Sequence, residues 1–321
     1  MNPVFPLVEW VATRRCPGRC FYCYLRGAPA PSGPELPPSA LREPLRKLGV
    51  RRLIVTGGEP LLLSGVEDFV LDCAASGIAV ELLTRLSPSP RFLAALADTG
   101  GVSLHVGVDS LRPATAARIG APFLPRRVLA DIARAAPGGV ARTVVTPFNL
   151  PELPELLPAL AEMGFRSLLV VFPAAPDGSE YPLPGADLAP LGLLFSSLLS
   201  RGVKVRVERP RSFAPPRRPP VVCASGRRSL TVFPDGSLGL CQHLPDALKV
   251  GSVFRDPPVD AAALERFLNP PRSLFAGTPC EDCPSFDDCN ASGRCWLSAL
   301  RAGALFGPDA FCPLRAGEDA P

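Results

Sequence analysis

Lysine is nearly missing from this chain: of 34 basic side chains only Lys47, Lys204 and Lys249 are lysine, and the other 31 are arginine. Asparagine occurs four times, methionine and histidine twice each, and glutamine once, as Gln242. Scarce thermolabile side chains suit a thermophile, and a GC-rich genome gives the same arginine and proline bias, so the composition fits both origins. An excess of one charge sign is also missing. Residues 1–207 carry 21 basic and 17 acidic side chains, and residues 208–321 carry 13 of each, for a net charge of +4. Neither part has the basic footprint of a nucleic-acid binder, and no such partner is expected.

Long apolar runs are absent too. The longest uncharged stretch late in the chain, Leu188–Ser200, is thirteen residues with Pro190 inside it, short of the ~20 residues that span a bilayer. Met1 to Trp10 lacks the positive start and apolar centre of a secretory signal. The expectation is a cytoplasmic protein with no membrane partner, in a compartment that keeps thiols reduced. Against these shortages stand eleven cysteines, which in such a compartment read as metal ligands rather than disulfides. A length of 321 residues, 47% of them hydrophobic, suits one large domain and one small one.

Short β-prone runs alternate with helical spacing over the first two thirds. Strands are expected at Leu7–Ala12, Arg52–Thr56, Ala79–Leu83, Val102–Val108, Arg142–Thr146 and Ser167–Phe172, with a last one near Val203–Val207. Helices are expected at Leu41–Leu48, Val66–Ser76, Arg91–Ala97, Arg126–Ala136, Glu152–Met163 and Ala186–Ser200. Six β-then-α units in order imply an α/β fold with a parallel sheet and right-handed crossovers, a partial (β/α)6 TIM-like barrel. The fourth strand puts Val102, Leu104, Val106 and Val108 on one face and Ser103, His105, Gly107 and Asp109 on the other. With helices outside, the polar face should line a cavity; an edge strand facing water is the alternative.

The segment 208–220 holds five prolines and reads as a semi-rigid linker. It separates a core at 1–207 from a C-terminal part at 221–321 that carries seven of the eleven cysteines.

Cys16, Cys20 and Cys23 follow the first strand with C-x3-C-x2-C spacing. That is not the paired C-x2-C of a zinc ribbon, and a disulfide would leave an odd thiol. Three thiolates suit an iron–sulfur cluster with one iron lacking a protein ligand. With Phe21-Tyr22 before the last cysteine, the segment resembles the signature of the radical S-adenosylmethionine (radical SAM) superfamily. Ile54-Val-Thr-Gly-Gly-Glu-Pro60, after the second strand, resembles that superfamily's glycine-rich segment; by itself it would read as a tight turn. The resemblance implies a 4Fe-4S cluster on Cys16, Cys20 and Cys23, with Tyr22 beside it. It also implies that Gly57, Gly58 and Glu59 contact the methionine amino group of SAM. Thr84, Asp109 and Asn149 match further parts of the SAM-contact pattern, whereas Arg85 and Gly107 depart from it, standing where relatives have asparagine and serine. Asn149 reads equally as a helix cap. His105 reads as a substrate or cofactor contact or as a satisfied interior histidine, and Cys73 as core.

The C-terminal cysteines, with Pro234-Asp-Gly236 as a hairpin signal, resemble the SPASM auxiliary-cluster extension. That resemblance implies one auxiliary 4Fe-4S cluster on Cys280, Cys283, Cys289 and Cys312. A second would use Cys223, Cys241 and Cys295, with His243 as a possible fourth ligand. A structural zinc is the alternative for Cys280–Cys295. Sulfatase-maturing relatives have an aspartate after the second of these cysteines; here it is Gln242, which takes no proton at neutral pH.

The resemblance implies an enzyme that cleaves SAM reductively to a 5′-deoxyadenosyl radical, fed by a donor such as ferredoxin or flavodoxin. Its first expected substrate is a peptide or protein side chain, to be oxidised or crosslinked. With Cys16 so early, that peptide would dock directly or through a separate partner. The alternative is a small-molecule precursor in tetrapyrrole or metal-cofactor maturation. A non-catalytic iron–sulfur or zinc protein would bind no SAM, and Gly57–Glu59 argues against it.

Overall fold

The computed structural model describes residues 4–25, 34–172, 189–208, 223–244, 248–291, 294–308 and 312. The expected linker falls outside these residues except for Glu208. Seven parallel strands come first: β1 Leu7–Val11, β2 Arg52–Thr56, β3 Ala79–Thr84, β4 Val102–Gly107, β5 Val140–Val144, β6 Ser167–Val171 and β7 Lys204–Glu208. Each pairs with the next in chain order. Between them run helices α1 Arg42–Lys47, α2 Val66–Ala75, α3 Pro90–Asp98, α4 Pro113–Ile119, α5 Arg126–Ala135, α6 Leu153–Glu162 and α7 Ala189–Ser200. This is the expected α/β partial barrel.

The alternation of each strand decides its two faces. Val8 and Trp10 of β1 point outward under the helices, fully buried, and Trp10 meets Phe69 of α2 edge to face at 5.4 Å. Leu53, Val55, Val80, Leu82, Leu104 and Val106 continue this layer, covered by Leu45, Val70, Phe92, Leu129 and Leu160 from the helices. Burying such side chains contributes ~1.5–3 kcal/mol each relative to exposure. The inward faces carry Glu9, Arg52, Glu81, His105, Arg142, Arg206 and Glu208, which line a cavity.

Two expectations need correction. Strand β5 begins and ends two residues before Arg142–Thr146, because Asn149 Oδ1 accepts from the Thr146 amide at 2.7 Å and draws it out of the sheet. A two-residue slip keeps every side chain on its face, so Arg142 still points inward. Helix α4 was not expected: with seven residues and only Ala116 and Ile119 buried, it has too few apolar positions for a periodic signal.

The sheet continues past β1. Strand β8 Ser229–Val232 pairs in parallel with β1, and β9 Ser237–Gly239 and β10 Lys249–Ser252 extend it antiparallel, so ten strands form one sheet among the described residues. The Pro234-Asp-Gly236 turn joins β8 to β9, with Asp235 Oδ1 accepting from the Ser237 amide at 2.9 Å. Helices α8 Ala261–Leu268, α9 Phe286–Ala291 and α10 Trp296–Arg301 complete the C-terminal region around Phe267, Phe275, Phe286 and Phe306. Among the described residues no helix is long and apolar enough to cross a membrane.

Candidate active site in the barrel lumen

The loop after β1 carries Cys16, Cys20 and Cys23 and is clamped from two sides. On one side the Gly58 amide donates to the Thr13 carbonyl at 2.6 Å and the Glu59 amide to the Arg15 carbonyl at 2.8 Å. On the other, the Arg19 amide donates to the Gly120 carbonyl, just past α4, at 2.7 Å. The glycine pair is required by this approach. A Cβ on Gly57 would stand 2.4 Å from the Thr13 carbonyl oxygen, and one on Gly58 would stand 2.2 Å from that of Arg15. The turn therefore serves the cysteine loop directly, a role its sequence did not reveal.

Cys16, Cys20 and Cys23 line the mouth of a cavity of about 710 Å³ together with Tyr22, Gly57, Gly58, Glu59 and Thr84. Burial pushes the Cys16 and Cys20 thiols up; a thiol in such a place ionises when a metal takes the proton's position. Cys23 lies within electrostatic reach of both. Among the described residues no three His, Cys, Asp or Glu side chains are gathered to hold a single metal ion. A 4Fe-4S cluster puts each thiolate on its own iron, and three thiols sharing one cavity mouth fit that donor set.

Glu59 is buried at 1% exposure. It accepts from the Leu61 amide at 3.1 Å, the Thr84 hydroxyl at 2.7 Å and the Arg85 amide at 2.7 Å. Burial pushes its carboxyl up, against those three donors. Glu59 thus braces the β2 turn against the end of β3 while one carboxylate position stays open to the cavity.

Asp109 and Asn149 stand one layer behind the wall. Asp109 pairs with Arg85 (Nη1 to Oδ2, 2.7 Å), accepts from the Val144 amide at 2.9 Å and accepts a hydrogen bond from the Tyr22 hydroxyl. Asn149 donates to the carbonyls of Asp109 and Val144 at 2.8 and 2.9 Å. It makes no side-chain cap on the following turn. The two departures from the family pattern turn out to be one feature. A Cβ on Gly107 would stand 2.7 Å from Arg85 Cγ, so the missing side chain at 107 is what admits the arginine at 85. Arg85 also donates to the Tyr22 oxygen at 2.7 Å, tying the cysteine loop to β3 and β4.

Deeper in the lumen lies a belt of charge that sequence reasoning missed apart from His105. His105 Nε2 is 3.8 Å from Glu81, Glu81 pairs with Arg52, and Arg142 is 3.7 Å from Glu208. Burial holds the His105 imidazole below its usual range; Glu81 opposes this, and Arg142, Arg206 and Arg52 add to it. Burial also lifts the Glu9 carboxyl to about 7, with Arg142 opposing. The available signal was a charge at mid-strand between apolar neighbours, as in Val8-Glu9-Trp10 and Val205-Arg206-Val207.

In the C-terminal region, Cys241 is within electrostatic reach of Cys223 and Cys295, and burial pushes its thiol up to about 12. Gln242 and His243 line the same cavity, and the His243 ring meets Tyr24 edge on at 4.7 Å. Gln242 Oε1 is buried with no hydrogen-bond partner among the described residues. Cys280 is buried, Cys283 and Cys312 half-buried, and Cys289 exposed.

A partial barrel with three cysteines clamped at the carboxyl end of β1, over a lumen lined by charged side chains, defines a cofactor-dependent barrel enzyme with its chemistry at that end. Residues 10–164 match the Radical SAM superfamily, and this segment of the chain is a radical SAM domain. That superfamily works with a 4Fe-4S cluster and SAM. The probable GTP 3′,8-cyclase of Archaeoglobus fulgidus is 32% identical over 102 residues, 31% of this chain and 34% of the relative. The pre-heme d1 synthase of Dinoroseobacter shibae is 28% identical over 170 residues, 50% of this chain and 41% of the relative. The chain thus spans between about a third and two fifths of the length of these relatives. Among solved structures, Streptococcus suis SuiB bound to its precursor peptide SuiA superposes with a TM-score of 0.73 at 13% identity, over 97% of this chain and 76% of that one. The anSMEcpe structure with bound AdoMet gives 0.63 at 16%, over 97% and 91%. These two likenesses are of fold.

Proposed function

We propose that this radical SAM enzyme acts on a small anionic molecule of a cofactor pathway, held in the lumen beneath the cysteine loop. The observation that carries the reading is the charged belt, above all Arg142 and Arg206, which face the cavity from β5 and β7. Guanidinium forks suit phosphate and carboxylate, and a cavity of about 710 Å³ is the size of a small-molecule site. Relatives named for GTP cyclisation and for pre-heme d1 synthesis support the same reading, since both names point to polyanionic small molecules. The peptide reading is the weaker one, because its support is likeness of fold and no lumen contact favours it.

With SAM bound, the cluster on Cys16, Cys20 and Cys23 would supply hydrogen-atom abstraction from an unactivated carbon. The chain's residues do the rest. Gly57, Gly58 and the open position of Glu59 seat the amino-acid end of SAM, with Thr84, Tyr22 and Arg85 fixing the loops around it. Arg142 and Arg206 orient the anion, neutral His105 and the unpartnered Gln242 oxygen read polar edges, and Glu9, near neutrality in its proton affinity, exchanges a proton with the substrate. Residues 1–207 form the catalytic core, 208–220 a linker and 221–321 a SPASM-like region. There Cys280, Cys283, Cys289 and Cys312 hold an auxiliary cluster, and Cys223, Cys241 and Cys295 a second. A small iron–sulfur or flavin donor in the cytoplasm delivers the electron.

The test is SAM cleavage by the anaerobically reconstituted chain with GTP, a porphyrin polycarboxylate, or a mixed peptide pool added. Stimulation by an anionic small molecule, cut at least ~10-fold in Arg142→Ala and Arg206→Ala, is expected from the loss of a charged hydrogen-bonded contact. Stimulation by peptides alone, indifferent to both arginines, would restore the first expectation.

A further inference from the structure

Among the described residues of the C-terminal region, one buried positive charge has no carboxylate in ion-pair contact. Arg294 is 6% exposed. Its Nε donates to Asn290 Oδ1 at 3.1 Å and its Nη1 to the Gly307 carbonyl. The rings of Phe275 and Trp296 lie 4.6 and 5.8 Å from its Cζ. Among the described residues no Asp or Glu forms an ion pair with it; Asp287 pairs with Arg272. What the guanidinium does face is sulfur. Nη1 and Nη2 stand 3.6 and 3.7 Å from Cys280 Sγ, itself 6% exposed.

Guanidinium keeps its proton in any protein environment, and a buried unpaired cation is strongly disfavoured. A neutral thiol offers it little, since sulfur in that state is a weak acceptor. A thiolate bound to an iron–sulfur cluster offers a full negative neighbour. Hydrogen bonds to cluster sulfurs favour the reduced, more negative state and so raise its reduction potential.

We propose that Arg294 is a positioning residue for the auxiliary cluster: its two N–H groups hold the Cys280 sulfur as a charged ligand and raise that cluster's reduction potential. The inference rests on the reading that Cys280 is a cluster ligand. No bond is made or broken; one electron enters from a low-potential reductant and leaves on reoxidation. Arg294 immediately precedes Cys295 in the chain, the cysteine that the SPASM resemblance assigns to the second set.

The experiment is a potentiometric titration followed by electron paramagnetic resonance on the whole reconstituted chain, in wild type, Arg294→Lys and Arg294→Met, with iron counted in each. The expected result is a shift of one auxiliary signal to more negative potential in Arg294→Met and a smaller shift in Arg294→Lys. The signal perturbed by added SAM should stay where it is. A merely structural arginine would leave potentials unmoved in any variant that keeps its iron, and that outcome overturns the proposal. Loss of one cluster's iron in both variants alike also overturns it, because the lysine retains the charge. A wild-type chain with no iron beyond the Cys16 site sinks the cluster reading itself, and is told apart from an unmoved potential by the iron count.

Discussion

Glu9 shows how one side chain ties stability to chemistry. It sits at the middle of β1 on the lumen side, and burial lifts its carboxyl from 4.5 to about 7. The folded chain therefore holds a proton that the unfolded chain gives up between those values. Stability contributed by the neutral acid is present at low pH and is lost as pH rises through the window. Replacing Glu9 with Gln removes the ionisation. The variant should unfold at higher temperature than wild type at about pH 8 and show no such gain at about pH 4.5, measured on metal-free chain by thermal melts. A difference that is the same at both pH values would contradict the assignment. If the same residue exchanges protons with substrate, the stabilised variant should also be slower in turnover, a trade common at active sites.

At the scale of elements, the site depends on how tightly three loops are stacked. The β2 turn, the cysteine loop and the end of α4 touch through backbone groups, and Gly58 sits where the Arg15 carbonyl leaves no room for a methyl group. Gly58→Ala should displace the cysteine loop, destabilising the chain by about 1–3 kcal/mol as overpacked sites do. Iron bound at the Cys16 site should fall in parallel. Full iron content with unchanged denaturant stability would show that the loop adjusts freely.

Much of this layer was legible beforehand. Six strand–helix units could be read because β-branched alternation and amphipathic spacing are local properties. The first cysteine trio and the Gly57-Gly58-Glu59 turn were legible because their spacing is local too. The Arg85–Gly107 pair was visible only as two separate departures from a pattern; its sense comes from β3 and β4 lying side by side. The charged belt was illegible for the same reason. Each charge is a single mid-strand residue, and only closure of the sheet brings Glu9, His105, Arg142 and Arg206 around one cavity.

For the whole molecule, the notable connection is between β1 and β8. The cysteine trio hangs from a strand whose other edge is filled by the C-terminal region, with Leu7 opposite Ser229 and Trp10 opposite Val232. A chain cut after residue 207 would present β1 as an open edge, an invitation to intermolecular pairing. Such a fragment should scatter light and elute as aggregate, whereas the full chain should not; a monodisperse fragment would mean that the core closes without β8. The same pairing sets Gln242 and His243 against the lumen, so the C-terminal region forms one wall of the chamber in which substrate would react.

The central claim is that Cys16, Cys20 and Cys23 together hold the group that cleaves SAM. Its most direct measurement is methionine released from SAM by the anaerobically reconstituted, chemically reduced chain, set beside Cys20→Ala prepared in the same way. Release by the wild type and none by the variant is the result predicted here. Equal release by both, or none from wild type that holds its full iron, would contradict it.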